Sequence, residues 1–467
     1  IKGWGLPFAG DALNHSALLN PNQLEPVRDA LGVAAGEEWA RFDPDSREGK
    51  LAAESFERIY AGDVAPAPQV TADMIPEHVG HSRTPLTSTQ EALGRMLTRL
   101  ADIEGVGQRI VTAAPDVSVS TNLGGWINKQ GVFAAHEAPV FDAGPRLLRW
   151  EPAPGGQHIE LGISEMNLFM WLGMFGLSHE LSGQLLFPIG TVYDPFVLRG
   201  LDAFIYGVYS DSKFIVAGTP SGISLAPEGG AHQSTITPSV GIELPNVNAW
   251  EPCFAQELEW MLLQALRECC DREHGRSTYL RLSTKPIEQA LLAPALERLG
   301  QDELRRKVLS GGYRIVDAAS EAPDADERDT VQIAVNGTMI PEAIEAARLL
   351  HAEGVAANVL NLTSPRALFQ EWQARQRSLM GLQDGTPPVM HLDEIIRETE
   401  RAAPIVTVQD GASHALAWLG SVYGAPCLSL GVDDFGQSGD THALYRHYGI
   451  DAEHIASAAF AMLDARA

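Results

Sequence analysis

Apolar positions recur at two different periods along the chain, and the alternation between those periods organises it. Ala92, Leu93, Met96, Leu97 and Leu100 fall three and four residues apart, which predicts a helix starting near Ser88. Ser88-Thr89-Gln90-Glu91 at its head fits a capping box. Ile110-Val111-Thr112-Ala113-Ala114 reads as a buried strand ending at Asp116, and Phe214–Gly218 and Tyr279–Leu282 read as two more. Met166 to Leu177 is apolar nearly all round, so that helix is predicted to be internal. Phe254, Leu258, Met261, Leu262 and Ala265 mark an amphipathic helix. After a charged linker the alternation resumes with a strand at Thr330–Val335, a helix over Pro341–Leu350, and strands at Ala356–Leu360 and Pro404–Val408. Strands that alternate with helices imply parallel sheets covered on both faces. Residues 1–85 read as loop-rich, with Ala65-Pro66-Ala67-Pro68 and Arg83-Thr84-Pro85 as linker punctuation. No internal repeat or low-complexity tract is visible.

Composition narrows this picture only a little. A chain of 467 residues implies two or three domains, and 45% hydrophobic with 20% charged residues is ordinary for a globular protein. The net charge of -26 argues against a nucleic-acid partner, since phosphate binding needs a basic footprint. The four cysteines show no metal-like spacing. Adjacent Cys269 and Cys270 lie in a helical pattern and read as buried thiols, which implies a reducing, cytoplasmic setting. No run is long enough to span a bilayer and no secretory signal is present, so no membrane partner is expected. The chain begins Ile1-Lys2-Gly3-Trp4-Gly5, which fits either a trimmed chain or the second piece of a longer polypeptide.

Candidate chemistry sits in a few short runs. Glu165 heads the apolar helix after Gly162-Ile163-Ser164. It is either a helix-start acid stabilised by the macrodipole or a buried acid that hydrogen-bonds a ligand. His232 follows the glycine-rich Glu228-Gly229-Gly230, where backbone can approach a ligand closely. It is either an incidental turn residue or a proton-transfer group. Phe187, Tyr193 and Phe196 surround a Gly-Thr-Val segment. They are either core or a cradle for a flat heterocycle. His15 lies in a polar, flexible stretch. Gly436-Gln437-Ser438-Gly439-Asp440 lacks the Gly-Lys-Ser/Thr of a phosphate loop and reads as a turn. Asp440, His442 and His447 have no good metal spacing, so no metal ligand is assigned.

Taken together, these runs resemble the transketolase-like thiamine-diphosphate superfamily, nearest to the homodimeric pyruvate dehydrogenase type, the decarboxylating component of 2-oxoacid dehydrogenase complexes. The resemblance implies an α/β fold: two doubly wound α/β domains preceded by a loop-rich segment. Residues 1–85 would be the end of the diphosphate-binding domain, the active-centre loop and a linker. Residues 86–300 would be the pyrimidine-binding domain, and 310–467 the transketolase-like C-terminal domain, including Gly431 to Gly449. It also implies that Glu165 binds and activates thiamine diphosphate, that Phe187, Tyr193 and Phe196 hold its pyrimidine, and that Asp116 lies beside its thiazolium. Glu228, His232 and His15 would face the substrate, with His232 and His15 handling protons or acyl transfer to a lipoyl group.

Departures from the family pattern refine the expectation. Transketolases place an arginine in a Ser-Thr-Arg-Lys-Ala run where this chain has Ser88-Thr89-Gln90-Glu91-Ala92, and another after Leu-Ser where it has Leu282-Ser283-Thr284. They carry Thr-His-Asp-Ser where it has Thr219-Pro220-Ser221-Gly222, and Lys285 is only a partial substitute. The sugar-phosphate contacts are thus replaced, whereas Glu228-Gly229-Gly230-Ala231-His232 keeps the spacing of the pyruvate dehydrogenase type. The Gly-Asp-Gly run and following asparagine that hold magnesium diphosphate are not in this sequence and are expected upstream, in another segment or chain. The expected reaction is therefore decarboxylation of a 2-oxoacid with thiamine diphosphate and Mg, in a homodimer or heterotetramer that includes the diphosphate-binding part. A lipoyl-bearing acyltransferase would take the acyl group. The alternatives are transketolase-type ketol transfer and a non-catalytic assembly subunit.

Overall fold

The computed structural model describes residues 3, 5–6, 9–16, 18–60, 70–81, 84–136, 152–321, 326–382 and 387–465. Residues 1–65 and 66–467 form two separate compact units. The predicted linker Ala65-Pro66-Ala67-Pro68, with Arg83, Ile1, Lys2 and Trp4, lies outside the described residues.

The first unit is less irregular than the sequence suggests. A single 3-10 turn, Ala12–His15, precedes helices Pro21–Ala30 and Arg47–Tyr60. Asn20 and Gln23 cap the first of these reciprocally. Neither helix contains a buried residue, and Phe56, Ile59 and Tyr60 stay more than half exposed.

The second unit is built on two sheets. The larger has eight strands, all parallel. From its third strand to the far edge it runs His158–Glu160, Ile110–Ala114, Phe187–Val192, Ile215–Gly218, Ser277–Arg281 and Val247–Trp250. The smaller has five strands in the order Tyr313–Val316, Val355–Asn361, Asp326–Val335, Ile405–Val408, Cys427–Leu430. Only its edge strand Tyr313–Val316 runs antiparallel. The inner strands are buried on both faces, as covered parallel sheets require. The molecule therefore has the α/β architecture with two open, helix-covered sheets.

Three local features differ from the sequence reading. Ser88 caps the helix Thr89–Leu100 through Glu91 N (3.2 Å), but the Glu91 carboxylate does not return to Ser88. Arg95, one turn on, and the Thr87 hydroxyl (3.1 Å) take it instead. The helix Glu165–Phe175 is not wholly internal. It buries Leu168, Phe169 and Leu172 but leaves Met166, Met170 and Met174 in an exposed stripe at four-residue spacing. Phe187–Val192, read only as an aromatic-flanked segment, is a fully buried strand.

A buried junction welds the two sheets. Glu257, inside the helix Ala255–Cys270, accepts from the Cys253 and Phe254 amides (2.8 and 3.0 Å), from Tyr313 Oη (2.9 Å) and from Asn361 Nδ2 (2.8 Å). One carboxylate thus caps a helix of the large-sheet domain and binds two strands of the small sheet. Burial pushes its carboxyl up against those donors. Cys253, Cys269 and Cys270 are free thiols whose pKa burial raises, to about 12 for Cys269 and about 11 for Cys270. Among the described residues no helix is long and apolar enough to cross a membrane.

Candidate active site

In an open parallel sheet the crevice beyond the carboxyl ends of the strands is where ligands bind. Four adjacent strands deliver the candidate residues there. Asp116 follows Ile110–Ala114, Tyr193 and Asp194 follow Phe187–Val192, Thr219 follows Ile215–Gly218, and Leu282-Ser283 follow Ser277–Arg281. Phe187 opens its strand rather than closing it, so it lies at the other end, fully buried in the main core. The structure does not bring Phe187 together with Tyr193 and Phe196, which corrects its expected place in the cradle.

Glu165 is the first residue of its helix, which Ser164 caps through Asn167 N (3.4 Å). Its carboxylate is 8% exposed and accepts from Arg199 Nη1 at 3.0 Å. The Arg199 guanidinium lies 3.7 Å from the Phe196 ring centre. Phe196 and Tyr193 stack nearly parallel, with centroids 5.9 Å apart and 10° between planes. His232 closes the group edge-on, 5.5 Å from Phe196 and 5.9 Å from Tyr193. Glu165, Arg199, Phe196, Tyr193 and His232 therefore form one continuous set. Arg199 joins the set through the structure, because its partner Glu165 lies 34 residues earlier in the chain. Phe196 and Arg199 are three residues apart on the 3-10 helix Asp194–Gly200, where such residues eclipse.

His232 Nδ1 is buried with no hydrogen-bond partner, and the Glu228 carboxylate stands 3.9 Å away. The side chain is 40% exposed, so this ring nitrogen, which makes no hydrogen bond beside the two stacked rings, can take a polar ligand atom. The loop that carries it is held from behind. Asp410, from the end of the small sheet, accepts the Ile223 and Ser224 amides (2.8 and 3.3 Å) and Thr338 Oγ1 (3.2 Å). Gly222 makes room for that carboxylate, since its φ is +66° and a Cβ would come within 2.2 Å of Asp410 Oδ2. The Gly436–Gly439 run does more than turn. Ser438 Oγ donates to Pro227 O (2.6 Å), Gly439 N to Ala226 O (3.1 Å), and Gln437 O accepts from Gln233 (3.0 Å). It braces the histidine loop.

Beneath the rings, Asp194 is completely buried and accepts from Ser234, Thr237, Tyr279 and Arg281. Arg281 bridges Asp194 to Glu251 (2.5 Å) and to Asp410 O (2.6 Å). Burial opposes the Arg281 charge, but Glu251 and Asp194 more than offset it and hold it protonated. Glu251 is pushed up to about 7 by burial, with Arg281 only partly opposing. Asp194 and Glu251 were invisible in the sequence because their partner Arg281 is 87 and 30 residues away.

Asp116 sits at the strand end, exposed and in the left-handed region at φ +64°. Next to it, His158 bridges Thr112 (2.8 Å) and Glu160 (3.0 Å). Burial would raise Glu160, but hydrogen bonds from His158 and Ser118 outweigh it and hold the carboxyl low. His15 belongs to the first unit, exposed at the end of its 3-10 turn. Asp440 serves as the N-cap of Thr441–His447, accepting from Ala443 N at 3.0 Å. Among the described residues no three His, Cys, Asp or Glu side chains converge as a metal site.

Two family profiles cover most of this second unit. Residues 67–286 match the pyruvate dehydrogenase E1 component middle domain, and residues 311–451 match the transketolase-like C-terminal domain. The chain belongs to the transketolase-like thiamine-diphosphate superfamily. Within that superfamily it is 22% identical to the pyruvate dehydrogenase E1 component of Cupriavidus necator, over 96% of this chain and 51% of that one. It is 26% identical to the chromosomal transketolase of the same organism, over 66% of this chain and 39% of that one. The chain thus spans about half the length of the curated relatives it matches, or less. Among solved structures, transketolase from Campylobacter jejuni superposes with a TM-score of 0.66 at 15% identity, covering 98% of this chain and 61% of that one. A structure described as a split gene transketolase, an inactive β4 tetramer, gives 0.53 at 20% identity. It covers 81% of this chain and 99% of that one. These superfamily neighbours share the fold.

Proposed function

We propose that this chain supplies the pyrimidine-binding and C-terminal domains of a thiamine-diphosphate-dependent 2-oxoacid dehydrogenase. The observation that carries the proposal is the single constellation of Glu165, Arg199, Phe196, Tyr193 and His232, with His232 Nδ1 buried and unpaired. These residues fit the cofactor's aminopyrimidine. Tyr193 and Phe196 offer a flat apolar surface, and Glu165 offers a mostly buried carboxylate to a ring nitrogen. Asp116 stands at the neighbouring strand end, on the side assigned to the thiazolium.

Thiamine diphosphate, when bound, supplies the electron sink that decarboxylation of a 2-oxoacid requires. The chain's own residues do the rest. Glu165 holds or releases a proton at its carboxylate, with Arg199 fixing its orientation. His232 takes or returns a proton on the substrate side, with Glu228 alongside. Magnesium and the diphosphate would be held by a diphosphate-binding partner, which makes the active species an assembly.

The arginines that transketolases place against sugar phosphate are replaced here, which favours a 2-oxoacid over a sugar phosphate. Gln90 stands where transketolases carry arginine. It is buried and fully engaged, donating to Ser120 O (2.9 Å) and accepting from Thr219 Oγ1 (2.7 Å). Ser283 pairs with Ser224 (3.0 Å). Lys285 turns away into the C-terminal domain, 3.2 Å from Thr338 O and 4.4 Å from the Tyr445 ring centre. The test is to combine the full chain with its diphosphate-binding counterpart and assay pyruvate oxidation by an artificial electron acceptor against ketol transfer between sugar phosphates. Acceptor reduction with pyruvate supports the proposal. Preferred ketol transfer, or no turnover and no cofactor retention, overturns it.

A further inference from the structure

One face of the helix Pro365–Leu379 carries Arg366, Gln370, Gln373 and Arg377, spaced four, three and four residues apart. This face lines a cleft of about 540 Å³ whose opposite wall is Ile242–Asn246 together with Arg276. The cleft lies on the seam between the large-sheet and small-sheet domains. Three arginines converge there, and none has an ion-pair partner among the described residues. Glu243 is the one carboxylate in the lining.

In a chain of net charge -26, three unneutralised guanidiniums make a local positive patch, and the one that is buried, Arg366, is costly to keep without an anion. Arg366 shows the cost most clearly. It is 4% exposed, Nη1 donates to Ile242 O at 2.6 Å, and Nε is buried with no partner. Burial and then the nearby Arg276 charge push it down to about 10. Arg366 begins just after the Ser364 cap, so the helix N-terminus adds its own positive field.

We propose that this interdomain cleft is a binding site for a small phosphorylated compound, separate from the Glu165–His232 constellation. Arginine's planar fork matches phosphate oxygens two at a time, and glutamine amides from the same helix face can donate to the remainder. The volume suits a phosphate or diphosphate ester rather than a macromolecule. The cleft is also mechanically tied to the rings. The helix Thr237–Glu243 reaches from Thr237, which donates to Asp194, to Glu243 at the cleft.

The proposal is tested by titrating the full chain with inorganic pyrophosphate in a calorimeter at fixed ionic strength, with citrate as a carboxylate control. Saturable binding of one pyrophosphate per chain, much weaker for citrate, is expected. The double variant Arg276→Gln/Arg377→Gln alters two exposed side chains, and its fold is checked by circular dichroism. It should weaken binding by at least about tenfold. Absence of saturable binding, equal binding of citrate, or binding unchanged in the double variant would each overturn the proposal.

Discussion

Glu165 is fixed by three independent things: the Ser164 cap that starts its helix, the burial of its carboxylate, and Arg199. Replacing it with Gln keeps the shape but removes the charge that a ring nitrogen would share. In the assembled enzyme, Glu165→Gln should therefore lower kcat by at least about a hundredfold with little change in melting temperature. Gly222 makes the opposite demand. A Cβ there would both enter the space of the Asp410 carboxylate and hold a side chain at φ +66°. Gly222→Ala should destabilise the chain by about 1–3 kcal/mol, read by urea denaturation. At this scale Glu165 and His232 stand out in the sequence because a lone acid on an apolar helix and a glycine-flanked histidine break their local pattern, and the structure brings both together with Tyr193 and Phe196, Glu165 through Arg199. Phe187 was misplaced because aromatic spacing alone does not tell which end of a strand a side chain occupies. Arg199 was missed because its role depends on a partner 34 residues earlier.

The strands and helices were the most legible level. Ile110–Ala114, Val355–Asn361 and Ala255–Cys270 lie where apolar runs and helical stripes predict them. Elements whose identity depends on pairing were not legible. The edge strand Tyr313–Val316 is antiparallel and joined to its neighbour across a register shift. The polar residues welding the two sheets are also silent in the sequence, because their partners are remote. Glu251 offers a test at this level. Arg281, Asp194, Asp410, Asn336 and Gln409 surround it, and its folded-state carboxyl titrates near 7 rather than at its ordinary 4.5. Because the folded state holds the Glu251 proton more tightly than the unfolded chain, the stability that Glu251 contributes is fully present below about pH 4.5. It falls as pH rises towards about 7 and then levels. Glu251→Gln should flatten that part of the pH–stability curve, and an unchanged slope would remove Glu251 as its cause.

Large apolar side chains are exposed together on two adjoining helices. Met166, Met170 and Met174 are 37%, 57% and 58% exposed on one helix. The adjoining helix Leu201–Tyr209 exposes Tyr206 and Tyr209. Both helices flank the Glu165 end of the candidate site, and an exposed apolar face of this size is a candidate contact for another chain. Met170→Glu with Tyr206→Glu should shift the chain to a smaller species in sedimentation while leaving its circular dichroism unchanged. An unaltered sedimentation coefficient would place the interface elsewhere. On the proposed function, Glu165, Arg199, Phe196, Tyr193 and His232 form the pyrimidine side of a thiamine-diphosphate site acting on 2-oxoacids. The most direct test is pyruvate decarboxylation by the full chain assembled with its diphosphate-binding counterpart, comparing wild type with Glu165→Gln. Turnover that depends on added thiamine diphosphate and is nearly abolished by the substitution is the predicted result. Turnover that survives the substitution, or an assembly that binds no thiamine diphosphate, would contradict it.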